Sequence, residues 1–205
     1  MKKTLFILGD SISIAYTPFL KQYLGKSWQV TRKGDLPADP VPGEPEPENG
    51  GDSNVFLAYL KAMLPQIAAG TMLLNCGLHD IKRQPTQNSP IQVPLEIYQS
   101  NLRDAIQLIQ SFGKKPVWVT TTAVDDARHL RHMREFFRYD AERQQYNIAA
   151  AQVMDKFAVP VIDLCGFTEQ LRGELYQDHV HFTEEVSRLQ AAYLAGALEA
   201  VCGEL

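Results

Sequence analysis

Short apolar runs alternate along this chain with longer amphipathic stretches, and that alternation constrains the fold more than any other feature. The runs lie at 4–8, 28–31, 72–75, 117–121 and 159–162. Such a pattern is that of strands joined by crossover helices into a parallel sheet. The expected fold is α/β: a three-layer sandwich with a five-stranded parallel sheet flanked by helices. Between the runs, helices are predicted over 14–24, 54–64 and 135–156. Another starts at Leu95, with apolar positions at Tyr98, Leu102, Ile106 and Ile109, and stops where Gly113 and Pro116 forbid continuation. The last opens at Thr183 with Glu184 and Glu185 in its first turn, which suits the helix dipole. Its buried face is predicted as Val186, Leu189, Tyr193, Ala197 and Val201.

With 205 residues the chain is expected to be one domain over 1–205. It is 45% apolar and 21% charged, ordinary for a soluble globular protein, and no apolar run approaches a bilayer's thickness. A net charge of −4 and a pI near 5.7 argue against a nucleic acid partner, which requires a concentrated basic face. Cys76, Cys165 and Cys202 are an odd number without metal-ligand spacing, so neither a disulfide framework nor a zinc site is expected, and reduced thiols fit a cytoplasmic protein. The start, Met1-Lys2-Lys3 followed by Thr4 to Leu8, has the look of a signal peptide. Its apolar run is too short and is broken by Gly9-Asp10-Ser11, so a first buried strand is the reading taken. One segment, at about 35–50, carries five prolines and several carboxylates; it reads as a surface loop, solvated or acting as a lid.

Three constellations fall after the carboxyl ends of predicted strands, where a doubly wound sheet presents its ligands. Gly9-Asp10-Ser11 lies between the first strand and a helix. That turn projects a serine hydroxyl from the sheet edge for nucleophilic attack, although the same tripeptide also serves as simple N-cap chemistry. Asp178-His179-Val180-His181-Phe182-Thr183 precedes the last helix, and a carboxylate three residues ahead of an imidazole can orient it as a base. His179 is expected to face solvent, since no third metal ligand accompanies the two histidines. Asn75-Cys76-Gly77-Leu78-His79-Asp80 ends the third strand, with a glycine for close backbone approach and polar side chains beside it.

Together these segments resemble the SGNH hydrolase, or GDSL esterase/lipase, superfamily, in the correct order and over nearly the whole chain. The resemblance implies a flavodoxin-like sheet, Ser11 as nucleophile, Asp178 as orienter and His181 as base. It implies an oxyanion hole from the Ser11 and Gly51 N–H groups, with Gly50 or Gly34 as alternatives to Gly51. Where the family usually reads Gly-x-Asn-Asp this chain reads Gly77-Leu78-His79-Asp80, so His79 takes the place of the amide donor and would donate from a ring nitrogen in the right tautomer or when protonated. Asp10, Gly77 and Asp80 are expected to contact substrate.

The implied function is serine ester hydrolysis of a small acyl or acetyl ester, a small-molecule substrate, through an acyl-enzyme with no metal and no other cofactor. Lysophospholipase or thioesterase activity on the same fold is the alternative within the family. Outside it stand a binding domain that has lost turnover and a nucleotide-binding flavodoxin-like domain, the latter lacking GxGxxG and P-loop patterns. The basic stretch Arg128 to Arg134 is either a solvated face or a site for an anionic substrate.

Overall fold

Leu5, Phe6, Ile7 and Leu8 are consecutive and have no solvent-accessible surface, the two-sided burial that a central strand of a parallel sheet experiences. The computed structural model describes residues 2–36 and 47–203. Its strands are β1 (Lys3–Leu8), β2 (Trp28–Arg32), β3 (Thr71–Leu74), β4 (Lys115–Val119) and β5 (Val161–Ile162). All pair in parallel, in the order β2-β1-β3-β4-β5. Leu8 lies opposite Leu74, so the carboxyl ends of β1 and β3 are side by side. The chain runs outward from β1 to β2 and then returns across β1 to β3. That reversal opens a crevice at the carboxyl edge, the place where such sheets bind ligands.

The helices are α1 (Ser11–Leu24), α2 (Ser53–Met63), α3 (Leu95–Ser111), α4 (Asp126–His132), α5 (Asp140–Lys156), α6 (Leu164–Glu169) and α7 (Glu184–Cys202). α7 packs along α1 and touches α6, whereas α2, α3 and α5 form a second group. The sheet lies between the two groups, and burying each of its large aliphatic side chains stabilises the fold by roughly 1.5–3 kcal/mol. No helix among the described residues is long and apolar enough to cross a membrane.

Several predicted boundaries move, each for a local reason. Carboxylates start four helices: Asp10, Asp52, Asp125 and Asp163 each accept from backbone N–H groups of the first turn. This draws α1 back to Ser11 and creates α4 and α6, which periodicity does not reveal. The helix predicted over 135–156 begins only at Asp140, because Phe137 exchanges backbone hydrogen bonds of 2.8 Å with Arg83 and holds the preceding residues extended. β5 is shorter than 159–162, since Val159 donates to Met154 O at the end of α5 and Pro160 has no N–H. The buried face of α7 is rotated from the predicted one: Leu189 and Val201 are each 41% exposed, and Val186, Gln190, Leu194 and Leu198 point inward. Most of the proline-rich segment, 37–46, lies outside the described residues.

Candidate active site

The turn after β1 is built by Asp10. Its extended backbone lets Oδ1 accept from Ile12 N–H at 3.0 Å while its carbonyl accepts from Ser13 Oγ at 2.6 Å. Ser11 is thereby the first helical residue, where an N–H has no acceptor within the helix and the dipole is positive. Asp10 itself points inward, 2% exposed, and burial raises its pKa. It does not line the pocket described below, so its place is structural rather than that of a substrate contact.

The imidazole reaches this serine from a loop 170 positions away: His181 Nε2 lies 2.8 Å from Ser11 Oγ. Its Nδ1 is 2.6 Å from Asp178 Oδ2, and Asp178 Oδ1 accepts from Val180 and His181 N–H, both at 2.8 Å. Partial burial pushes the Asp178 carboxyl upward, but those two N–H groups and the imidazole prevail and hold it down at about 2. Thr183 caps α7 immediately afterwards. The serine and histidine thus stand at the starts of two helices that pack on each other.

Gly50 donates to Gly9 O at 2.9 Å, closely enough that a Cβ on Gly50 would sit 3.1 Å from that oxygen. This splices the loop before α2 to the serine turn. Gly51 follows with φ +67°, a conformation that favours glycine, and its N–H donates to Asn49 Oδ1 at 2.9 Å. Of the three glycines considered, Gly51 lines the pocket; Gly50 is tied to Gly9, and Gly34 lies against Glu48.

His79 also lines the pocket, with Nδ1 3.1 Å from Lys82 Nζ. An ammonium only donates, so Nδ1 accepts and the ring proton belongs on Nε2. Burial, helped by the charges of Lys82, Arg138 and His181, pushes the His79 pKa down to about 3. The alternative of a protonated donor is therefore set aside: any hydrogen bond His79 gives comes from the neutral ring. Gly77 and Asp80 are buried behind this segment rather than facing a ligand. A Cβ on Gly77 would lie 2.7 Å from Thr121 Oγ1, and Asp80 is fully buried and accepts from Ser53 N–H at 2.9 Å. Burial raises the Asp80 pKa to about 7.

Ser11, Gly51, His79 and His181 share one pocket of about 440 Å³ with Lys82 and Arg138. His179, expected to face solvent, instead lines this pocket and packs against His129, Phe136 and His181. Among the described residues no group of histidines, cysteines and carboxylates is arranged to hold a metal ion. The charges of the basic stretch point elsewhere: Arg128 pairs with Glu174 at 2.6 Å, and Arg131 and Arg134 are exposed. The buried cation of the pocket is Arg138, four residues further on. Sequence reading missed it; its one signal is an arginine set among Phe136, Phe137 and Tyr139.

The sequence profile of the family described as GDSL-like Lipase/Acylhydrolase matches residues 5–194. No curated protein sequence matches the chain. Among solved structures, an acetyl xylan esterase, AlAXEase, is similar with TM-score 0.68 at 16% identity, covering 95% of this chain and 99% of that one. A lipase/acylhydrolase from Enterococcus faecalis gives TM-score 0.70 at 16% identity, covering 97% and 96%. The psychrotrophic esterase EstA from Pseudoalteromonas sp., solved with monoethylphosphonate as inhibitor, gives 0.68 at 13% identity, covering 99% and 100%. At these identities the likeness is one of fold.

Proposed function

We propose that this chain, which belongs to the GDSL-like lipase/acylhydrolase family and is a carboxylic ester hydrolase, cleaves small acyl esters through an acyl-enzyme on Ser11. The observation that carries the reading is the unbroken run from Asp178 Oδ2 through the His181 ring to Ser11 Oγ, with bonds of 2.6 and 2.8 Å, opening into the pocket. Asp178 fixes the tautomer with the proton on Nδ1, which leaves Nε2 free to accept. His181 Nε2 takes the Ser11 proton as Oγ bonds to the acyl carbon. It then gives that proton to the leaving alkoxide as the ester C–O bond breaks. Water, deprotonated by the same nitrogen, attacks the acyl-enzyme and releases the acid, and the proton returns to Ser11 Oγ.

Charge on the carbonyl oxygen is taken by the Ser11 N–H at the positive end of α1, by His79 Nε2–H, and by Gly51 N–H once Asn49 Oδ1 gives way. A volume of about 440 Å³ lies toward the small end of ligand pockets and suits a short acyl chain. The site draws on segments from both ends of the chain, consistent with one domain over 1–205.

The reading is tested with p-nitrophenyl esters from acetyl to palmitoyl and a fluorophosphonate probe, on wild type and Ser11→Ala. Short esters should turn over fastest, and the variant should neither hydrolyse nor label. Labelling of another serine, or turnover surviving in Ser11→Ala, would overturn the assignment.

A further inference from the structure

Arg138 is 4% exposed, and its Nε has no hydrogen-bond partner. Burying a guanidinium costs several kcal/mol unless a counter-charge or a set of acceptors receives it. Among the described residues this one has neither an ion pair nor a hydrogen bond; its recorded neighbour is the face of Phe136, 4.7 Å from the guanidinium carbon. Burial lowers its pKa to about 10, which still leaves it charged at neutral pH.

The groups around it do not supply the missing charge. His79 and His129 are held neutral by burial, aided by the positive charge of Arg138 itself. Asp10 is the carboxylate that acts on Arg138 through space, but its Oδ1 caps α1 and its Oδ2 meets no donor, so the two form no pair. The acidic groups nearer the pocket are engaged: Asp52 caps α2 and accepts from Gln92, and Asp178 holds His181. Lys82 adds a second positive group to the same wall.

The backbone holding Arg138 is firm, because Phe137 exchanges two hydrogen bonds with Arg83. A rigid, desolvated cation facing the pocket that Ser11 and His181 open into is a preorganised receptor for an anion. The guanidinium edge presents parallel N–H groups, which match the two oxygens of a carboxylate.

Resting on the ester-hydrolase reading above, we propose that the substrate is a small ester that also carries a carboxylate, and that Arg138 is the specificity residue that binds it. The rings of Phe136, His79 and His179, which line the same pocket, then enclose the short chain between carboxylate and ester.

The test uses two matched pairs followed by pH-stat: monoethyl succinate against ethyl butyrate, and 4-acetoxybenzoate against 4-acetoxybenzamide. The first pair puts the charge on the acyl side and the second on the alcohol side. In one of them wild type should favour the anion by about 10- to 100-fold in kcat/KM, the range of a charge-assisted hydrogen bond. That ratio should collapse in Arg138→Met and survive in part in Arg138→Lys. A preference for the neutral member in both pairs, or a ratio unchanged in Arg138→Met, would overturn the proposal.

Binding to Ser11→Ala, measured calorimetrically with the same four compounds, separates this proposal from the one it rests on. Tighter binding of an anionic member without any wild-type turnover would sink the hydrolase reading and keep the anion site. Turnover without anion discrimination would do the reverse.

Discussion

Asp178→Asn removes one charge and almost no volume, and the loop leaves the new amide a single orientation. In the wild-type protein the N–H groups of Val180 and His181 both end on Oδ1, whereas Oδ2 takes the imidazole Nδ1–H. Asparagine keeps the two backbone bonds only with its carbonyl at the Oδ1 position, and its NH₂ then faces the ring. Turning the amide over would set NH₂ against two N–H donors, at about 1–3 kcal/mol for each group left unsatisfied. Because NH₂ donates, Nδ1 has to accept, and the ring proton moves to Nε2, the atom 2.8 Å from Ser11 Oγ. A protonated Nε2 cannot take the serine proton. The expected loss in kcat is about 10⁴-fold, roughly 5.5 kcal/mol on the barrier.

Stability should barely move, because the Asp178 side chain is 42% exposed and solvent screening limits its pairing to about 1 kcal/mol at most. Its depressed pKa means that this small contribution is present above the ordinary carboxylate range and is lost only as the pH falls toward 2. Steady-state hydrolysis of p-nitrophenyl acetate and thermal melts of both proteins give the two readouts. An Asn variant within tenfold of wild type would refute the tautomer argument, and a variant that melts far lower would show that Asp178 holds the loop rather than the ring.

Two further expectations concern the segment after β3. His79→Ala should lower kcat by about 10²- to 10³-fold and His79→Asn should restore part of it, as for other oxyanion donors; an Ala variant with wild-type kcat removes His79 from the hole. Because the ring stays neutral down to about pH 3, wild type and His79→Asn should share one activity profile between about pH 5 and 9, and a limb that disappears in the Asn variant would contradict this. Asp80 prefers to be protonated when folded, so its contribution is most favourable below the unfolded carboxylate range and declines as pH rises through about 7. Against Asp80→Asn, which keeps an acceptor for Ser53 N–H, wild type should lose up to about 4 kcal/mol between about pH 4 and 8 in denaturant melts, and a constant difference would refute it.

The sheet was legible because its central strands are buried on both faces and read as unbroken apolar runs, as Leu5 to Leu8 and Met72 to Leu74 do. The Asp178 to His181 contact was legible for a different reason: its geometry is local, three residues on one loop, and the sheet order brings that loop to the first turn. What sequence did not disclose depends on contacts between distant segments. Phe137 is extended because Arg83 lies across from it, and nothing within 133–139 announces that partner. Asp10, Gly77 and Asp80 have polar or small side chains at the right positions for ligand contact, yet their direction is set by the cap, by Thr121 and by Ser53. Arg138 escaped notice because a single arginine among aromatics gives no hint that folding will bury it unpaired.

The packing of α7 along α1 has a consequence for synthesis on the ribosome. In chain order Ser11 directly follows the turn after β1, whereas His181 comes after all five strands and directly ahead of α7. On the proposed mechanism, a nascent chain stalled before α7 holds Ser11 but lacks the helix that fixes His181 beside it, and an unassisted serine is a weak attacker. Reactivity toward fluorophosphonate consequently reports on the docking of the last helix.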